Sequence, residues 1–153
     1  MRAPALLLLC VTACAGDDDS GGSSITILDT PLAGTVGGAP WTFVSGDTDA
    51  FLSEGDPDFF TALYPEARTA CSFSSSTTNR IILRVPMVPG EYPFSPSGRN
   101  MTFALPPGTN LVATTGTLVV DEVTTTTITG GLYGRYDDAN EVNGRFTATI
   151  CPP

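Results

Sequence analysis

Apolar and polar residues alternate along most of the chain after residue 25, with the period of two that is typical of β-strands. In the clearest run, Ile81, Leu83 and Val85 occupy one face, while Arg80, Ile82 and Arg84 occupy the other. Four further sets share a face: Met101, Phe103 and Leu105; Leu118 and Val120; Ile128, Leu132 and Tyr136; and Phe146, Ala148 and Ile150. Because no stretch carries a sustained helical stripe, the pattern predicts an all-β domain.

Turn-forming residues separate these runs and set the expected number of strands. The breakers are Pro86, Pro89-Gly90, Pro96 to Gly98, Pro106 to Gly108 and Asn143-Gly144. We expect Asn143-Gly144 to close a hairpin into the last strand. Asp56-Pro57 could start a helix, but Phe59 to Tyr64 is short and aromatic and ends at Pro65, which favours a strand. The sequence therefore predicts an antiparallel β-sandwich or flattened barrel of about eight to ten strands.

The first residues have the pattern of a secretory signal. Arg2 precedes the apolar run Ala3 to Val11, which is too short to cross a bilayer as a helix. The run ends in Val11-Thr12-Ala13-Cys14, which resembles the lipobox of bacterial lipoproteins. That resemblance implies cleavage before Cys14 and acylation of Cys14, with palmitate among its lipids. The rival Cys10 follows Leu9, which is too bulky for the small residue that cleavage needs.

The resemblance divides the chain into three parts and predicts its location. Residues 1–13 would be the signal peptide, 14–24 a lipid-attached cysteine and flexible acidic tether, and 25–153 the all-β domain. The expected partner is therefore a membrane, reached through the lipid anchor. We expect a bacterial cell-envelope protein facing the periplasm or the exterior, with the outer membrane favoured over the inner where a cell has both.

Two cysteines remain for the folded domain, Cys71 and Cys151. An exported protein enters an oxidising compartment, so the sequence predicts that they form a disulfide. If the last strand alternates strictly, Cys151 shares a face with Thr147 and Thr149, opposite Phe146. The bridge would then lie on the outer face of the sheet, unless a bulge intervenes.

Composition removes several classes of function. Lysine and histidine are both absent, so no imidazole or ammonium group can act as a general base or activate a nucleophile. Net charge of -9 argues against nucleic acid as a partner. A glycosidase based on paired carboxylates from the loop with Asp47, Asp49, Glu54, Asp56 and Asp58 is a remote alternative. We therefore expect no enzyme activity.

Two acidic segments are candidates for calcium, the one cofactor that the sequence suggests. Hard cations take oxygen ligands, which Asp47, Asp49, Asp56 and Asp58 could supply. A second turn offers alternate oxygens at Asp138 and Asn140. Neither segment follows the EF-hand spacing, and solvated acidic loops are the favoured alternative.

Aromatic residues suggest a carbohydrate platform or another recognition surface. The candidates are Trp41, Tyr64, Tyr92, Tyr133 and Tyr136. Trp41 alternates with Phe43, which favours a place in the core. Tyr133 and Arg135 lie opposite Leu132 in the pattern, so we expect them to form an exposed aromatic and cation pair that could recognise a partner.

Several motifs together resemble the small all-β domains of uncharacterised bacterial lipoproteins, whose hairpins and strands they match. They are Gly37 to Trp41, Val88 to Phe94, Ala113 to Val120, Ile128 to Gly134 and Val142 to Phe146. The resemblance implies a fold and no catalytic residue. We therefore expect a non-enzymatic binding or structural module of unknown specificity, whose partner is an envelope protein or a carbohydrate. A calcium- or carbohydrate-binding adhesion module is the alternative.

Overall fold

The computed structural model describes residues 25–72 and 76–152, which form eleven strands and one short helix. The alternating runs become the strands, and the proline and glycine breakers fall at or near their ends. In chain order the elements are β1 Ala33–Val36, β2 Ala39–Thr42, β3 Ser45–Asp49, α1 Ala50–Ser53, β4 Asp58–Tyr64, β5 Arg80–Pro86, β6 Gly90–Pro93, β7 Met101–Leu105, β8 Thr109–Ala113, β9 Thr115–Val123, β10 Thr127–Asp137 and β11 Asn140–Thr149.

The strands form one curled sheet in the order β6-β9-β10-β11-β3-β4-β5-β7-β8, with β1 and β2 attached beside β11. All neighbours are antiparallel except β11 and β3, which meet in parallel at Thr149 and Asp47. At the far side, only Thr114 separates β8 from β9, so the chain turns there from one half of the sheet to the other. The sheet thus curls into a half-barrel. The predicted all-β class is confirmed.

The core lies inside this curl and consists of the predicted inward sets. Ile81, Leu83 and Val85 are buried, as are Met101 and Phe103 opposite them on β7. Trp41 is also buried, and its indole Nε1 donates a hydrogen bond of 3.0 Å to the Asn79 carbonyl. At Gly134, the backbone of β10 approaches Met101 so closely that an added Cβ would overlap the thioether sulfur. The interior is therefore filled by side chains.

Two local expectations are settled by the strands. Phe59 to Tyr64 is extended, as predicted, and belongs to β4. The expected hairpin at Asn143-Gly144 is wrong, because both residues lie within β11 and the turn falls at 138–139. Asn143 instead binds the segment before β1: its side-chain amide donates to the Thr26 carbonyl and accepts from the Leu28 N–H. That polar side chain therefore fastens a chain segment and does not form a turn.

Tyr136 also departs from the predicted pattern, since it does not share the buried face of Ile128 and Leu132. The register of β10 against β11 shifts between Arg135 and Asp137, which leaves Tyr136 52% exposed. A bulge of this kind reverses the facing of the residues beyond it.

Candidate functional site

The outer face of strands β3, β4, β5 and β7 carries an unusual mixture of apolar and charged side chains. Pairing places Asp47, Ala62, Ile82 and Thr102 in one row across the four strands. The next row contains Asp49, Phe60 and Arg84. Because side chains of a strand alternate between faces, all of these residues point away from the buried core. The solvent side of the sheet therefore has an apolar centre with charged flanks.

These rows form the floor of a groove, which we call the strand-face groove. It consists of two neighbouring cavities of about 410 and 520 Å³, which share the lining residues Phe60 and Ile82. The smaller cavity ends at Arg99 and Asn100, in the connection between β6 and β7. The larger one ends at the two cysteines and Pro152. The groove thus runs obliquely across β4 and β5, between two walls supplied by distant parts of the chain.

Arg99 fixes the wall at the smaller cavity. Its guanidinium nitrogens donate to both carboxylate oxygens of Asp58, at 2.8 and 3.3 Å, and to the Arg84 carbonyl at 2.8 Å. A two-pronged contact of this kind restricts both side chains more than a single bond would. Arg84 in turn forms an ion pair with Asp56. Asp56 and Asp58 are therefore both engaged by arginines at this end of the groove.

A disulfide forms the wall at the larger cavity. Cys71 and Cys151 are bonded, with a Cα–Cα distance of 5.4 Å and a sequence separation of 80 residues. The pairing agrees with the prediction. The bridge lines the outer face of the sheet, the first of the two alternatives for its position. The Cys71 N–H also donates to Asp47 Oδ2 at 2.8 Å, which connects the wall to β3.

Arg80 and Tyr64 line the larger cavity, and their polar atoms form few hydrogen bonds with the described residues. Arg80 precedes Ile81, which pairs with Leu63, so Arg80 and Tyr64 are outward neighbours on β5 and β4. Within residues 25–72 and 76–152, Arg80 is the one arginine without an ion pair, and its sole hydrogen bond is a long one of 3.5 Å to the Ser76 carbonyl. The Tyr64 hydroxyl has no hydrogen-bond partner in the described part of the chain.

The setting of Tyr64 keeps its hydroxyl protonated. Partial burial raises the pKa of Tyr64 above its usual 10.0, and the carboxylate of Asp47 raises it further. Arg68, which lies over the ring at 4.4 Å from its centre, and Arg80 oppose the shift. The phenol is consequently a hydrogen-bond donor at neutral pH.

The four acids proposed for calcium divide between the two ends of the groove. Asp47 accepts the Cys71 N–H, and Asp49 Oδ1 accepts the Leu52 N–H at 2.9 Å as the cap of α1. Asp56 and Asp58 lie with their arginines at the other end. Among the described residues, no three His, Cys, Asp or Glu side chains are close enough together to hold one metal ion. The calcium hypothesis at this loop stays a prediction.

The second acidic turn connects β10 to β11. Asp138 forms an ion pair with Arg135, and Asn140 Oδ1 accepts the Gly37 N–H at 2.8 Å. Asn140 is buried, and its amide nitrogen donates to Asp137 at 2.8 Å. Asn140 thus fastens the turn between β1 and β2, while Asp138 is paired within its own turn, and calcium binding there also stays a prediction.

Tyr133 and Arg135 both lie on the outer face of β10, as expected. Arg135 is exposed, whereas Tyr133 is half-buried. Arg135 contacts Glu141 at 3.5 Å in addition to Asp138, so its charge is already matched by two acids. Recognition of a partner by this pair stays a prediction.

The predicted lipidation site Cys14, the signal peptide and the acidic tether lie outside the described residues. In the part of the chain that the structure covers, no helix has the length and apolar character needed to cross a membrane. Comparison of the chain with protein-family models, with curated proteins and with solved structures found no match.

Sequence reasoning did not single out the strand-face groove. Asp47 and Asp49 were named as metal ligands and Tyr64 as a carbohydrate platform, but Arg80, Phe60 and Ile82 were assigned no role. One signal was present in the pattern. Ile82 lies between two arginines on the face opposite Ile81 and Leu83, where an outward residue would ordinarily be polar.

Proposed function

We propose that this chain is an exported bacterial lipoprotein, anchored to the membrane through Cys14, whose all-β domain binds a ligand in the strand-face groove. In this proposal the domain is a binding module and performs no catalysis. The observation that carries the proposal is the apolar floor of Phe60, Ala62 and Ile82 on the solvent side of the sheet, between two walls.

The composition of the groove supports binding. A sheet with one solvated face ordinarily alternates apolar residues inward and polar residues outward. Here Phe60 and Ile82 face outward, outside the core that the inward residues form. Concave sites with an apolar lining and a few polar groups that fix orientation are typical of ligand pockets. Asp47, Arg80 and Tyr64 would supply those polar groups.

The disulfide and the lipobox resemblance support export and anchoring. Stable disulfides are usual in oxidising compartments and rare in the bacterial cytosol. Cys71 and Cys151 are far apart in sequence and come together at one wall of the groove, so the bridge also shapes the proposed site. The same compartment is the one that a lipidated Cys14 would face.

The state of the acids supports binding over catalysis. Asp56 and Asp58 are each neutralised by an arginine, while Asp47 and Asp49 accept backbone N–H groups. Carboxylates held in this way are suited to fixed contacts with hydroxyl or amino groups of a ligand. The chain also lacks histidine and lysine, the side chains that most often move protons in catalysis.

The anchor is tested by metabolic labelling of the full chain with an alkyne analogue of palmitate. Labelling should be lost in Cys14→Ala and kept in the matched control Cys10→Ala. Label that persists in Cys14→Ala would refute the anchor.

The groove is tested with a fragment library screened by ligand-observed NMR on the full chain. Ala62→Arg places a long side chain in the middle of the floor, and Val119→Arg makes the same kind of change on β9, which contributes no residue to either cavity of the groove. Fragments that bind the wild type and Val119→Arg should fail to bind Ala62→Arg. Equal binding to all three proteins, or no binding fragment at all, would refute the groove as a ligand site.

A further inference from the structure

We propose that the larger cavity of the strand-face groove recognises an acidic saccharide, through a carboxylate that binds between Arg80 and the Tyr64 hydroxyl. This inference rests on the proposed function, whose ligand class it specifies. It starts from Arg80 and the Tyr64 hydroxyl, the two polar groups of the cavity for which residues 25–72 and 76–152 supply no strong partner.

The surroundings of Arg80 favour the binding of an anion. The other arginines of the described chain are paired with Asp or Glu, at Arg68, Arg84, Arg99, Arg135 and Arg145. Arg80 is half-buried on β5 and lines the larger cavity. A guanidinium group presents a planar set of N–H donors that matches the two oxygens of a carboxylate. A half-buried cation without a counter-ion favours an anionic group of a ligand in that place.

Tyr64 supplies a second donor beside Arg80. Its hydroxyl is protonated at neutral pH and has no acceptor among the described residues. Arg68 covers one side of the Tyr64 ring, 4.4 Å from its centre, and is itself paired with Glu66. The corner thus offers two donors, a guanidinium and a phenol, to one anion, and the attraction of Arg80 has to outweigh the repulsion from the neighbouring carboxylate of Asp47.

The remainder of the cavity fits a saccharide. Asp47 and Asp49 form an acceptor flank on β3, and Ala62 and Ile82 form an apolar floor beside it. Carboxylates accept hydrogen bonds from neighbouring hydroxyl groups, and the C–H face of a sugar ring packs on apolar or aromatic side chains. Asp47 and Arg80 lie on strands separated by β4, so their backbones are about 10 Å apart laterally. That span is comparable with a disaccharide.

The floor disfavours an extended peptide. Peptides that bind along sheets form main-chain hydrogen bonds with a free strand edge. Strands β3, β4, β5 and β7 are all paired with neighbours along the groove, so their backbone groups are engaged within the sheet. Side chains alone face the ligand here. The net charge of -9 also disfavours a densely charged polyanion, which favours a saccharide with a single acidic residue.

The experiment measures binding of three probes to the purified full chain by titration calorimetry. The probes are a disaccharide ending in glucuronate, the same disaccharide ending in glucose, and a neutral tripeptide with a free carboxylate. Arg80→Gln removes the charge, and Tyr64→Phe removes the hydroxyl. Arg135→Gln makes the same change as the first variant on β10, outside the groove.

The acidic disaccharide should bind at least about tenfold more tightly than the neutral one, as expected for a charge-assisted pair. Arg80→Gln should remove that preference, Tyr64→Phe should reduce it, and Arg135→Gln should leave it intact. Equal affinity for both disaccharides, a preference that survives Arg80→Gln, or preferential binding of the tripeptide would overturn the inference.

Absence of binding by all three probes would also overturn the inference. The fragment screen with Ala62→Arg separates this failure from failure of the proposed function. Fragments that bind the wild type and are lost in Ala62→Arg would keep the groove as a ligand site even if no acidic saccharide binds.

Discussion

Removal of the Cys71–Cys151 bridge should lower the free energy of unfolding by a substantial fraction of the total for a domain of this size. The bridge closes a loop with a sequence separation of 80 residues. In the chain-entropy model, such a loop loses about 15 cal/mol/K in the unfolded state, which corresponds to about 4.5 kcal/mol at 25 °C. At roughly 4 °C per kcal/mol, we expect Tm to fall by about 15 to 20 °C.

The assay is urea unfolding of the wild type, of the wild type under reducing conditions, and of Cys71→Ser/Cys151→Ala. Cys71 is exposed and accepts serine, whereas Cys151 is buried and accepts alanine. If the effect lies in the unfolded chain, chemical reduction and the double substitution should lower the free energy of unfolding by similar amounts. The urea dependence should also steepen as the unfolded state expands. A loss below about 1.5 kcal/mol in both cases would refute the loop-entropy argument.

Four further outcomes are expected. Gly134→Ala should cost about 1 to 3 kcal/mol by overlap with Met101, and in a double-mutant cycle Met101→Ala should recover part of that loss. Thr117→Val should stabilise the fold by about 1 kcal/mol in denaturant unfolding, because the Thr117 hydroxyl is buried without a partner within the described chain. A hydrogen bond from Thr78 lowers the pKa of Glu66 below its usual 4.5. The stability that the ionised Glu66 contributes is therefore present above pH 4.5 and lost as the pH falls through the lowered pKa. Glu66→Gln should flatten that part of an acid-unfolding series. Several millimolar calcium should leave Tm within about a degree of its value in EDTA, since arginines already neutralise two of the loop acids, whereas a rise of several degrees would establish a calcium site.

The inward positions of the fold were predictable because strand alternation depends on local sequence. Ile81, Leu83 and Val85 are buried as the period of two requires. The hairpin predicted at Asn143-Gly144 is absent, because pairing of Asn143 with both β10 and β1 overrides the local turn propensity. A side chain that joins two segments more than a hundred residues apart gives no sign of that role in the sequence around it.

The curl of the sheet depends on contacts that sequence alone does not specify. The parallel meeting of β11 with β3 joins Thr149 to Asp47, which are far apart in the chain. This junction helps to bring Cys151 beside Cys71, and their bridge forms one wall of the groove on the outer face of β3 to β7. The cysteine pair was identifiable by counting, but the surface that it encloses was not.

The residues of the strand-face groove were likewise only partly predictable from the sequence. Acidic and aromatic residues attract notice in a sequence because their chemistry is familiar, so Asp47 and Tyr64 were candidates from the start. Arg80 lies in a strand whose alternation is fully explained by burial of its neighbours, and its position there is ordinary. Its importance appears only when charges are paired in space, because Asp56 and Asp58 are then taken by Arg84 and Arg99. What distinguishes Arg80 is thus the absence of a counter-ion within the described structure, and this property belongs to the fold as a whole. The two tests of the groove therefore substitute residues whose roles depend on tertiary pairing, Arg80 and Ala62, and compare them with controls that introduce the same side chain elsewhere on the sheet.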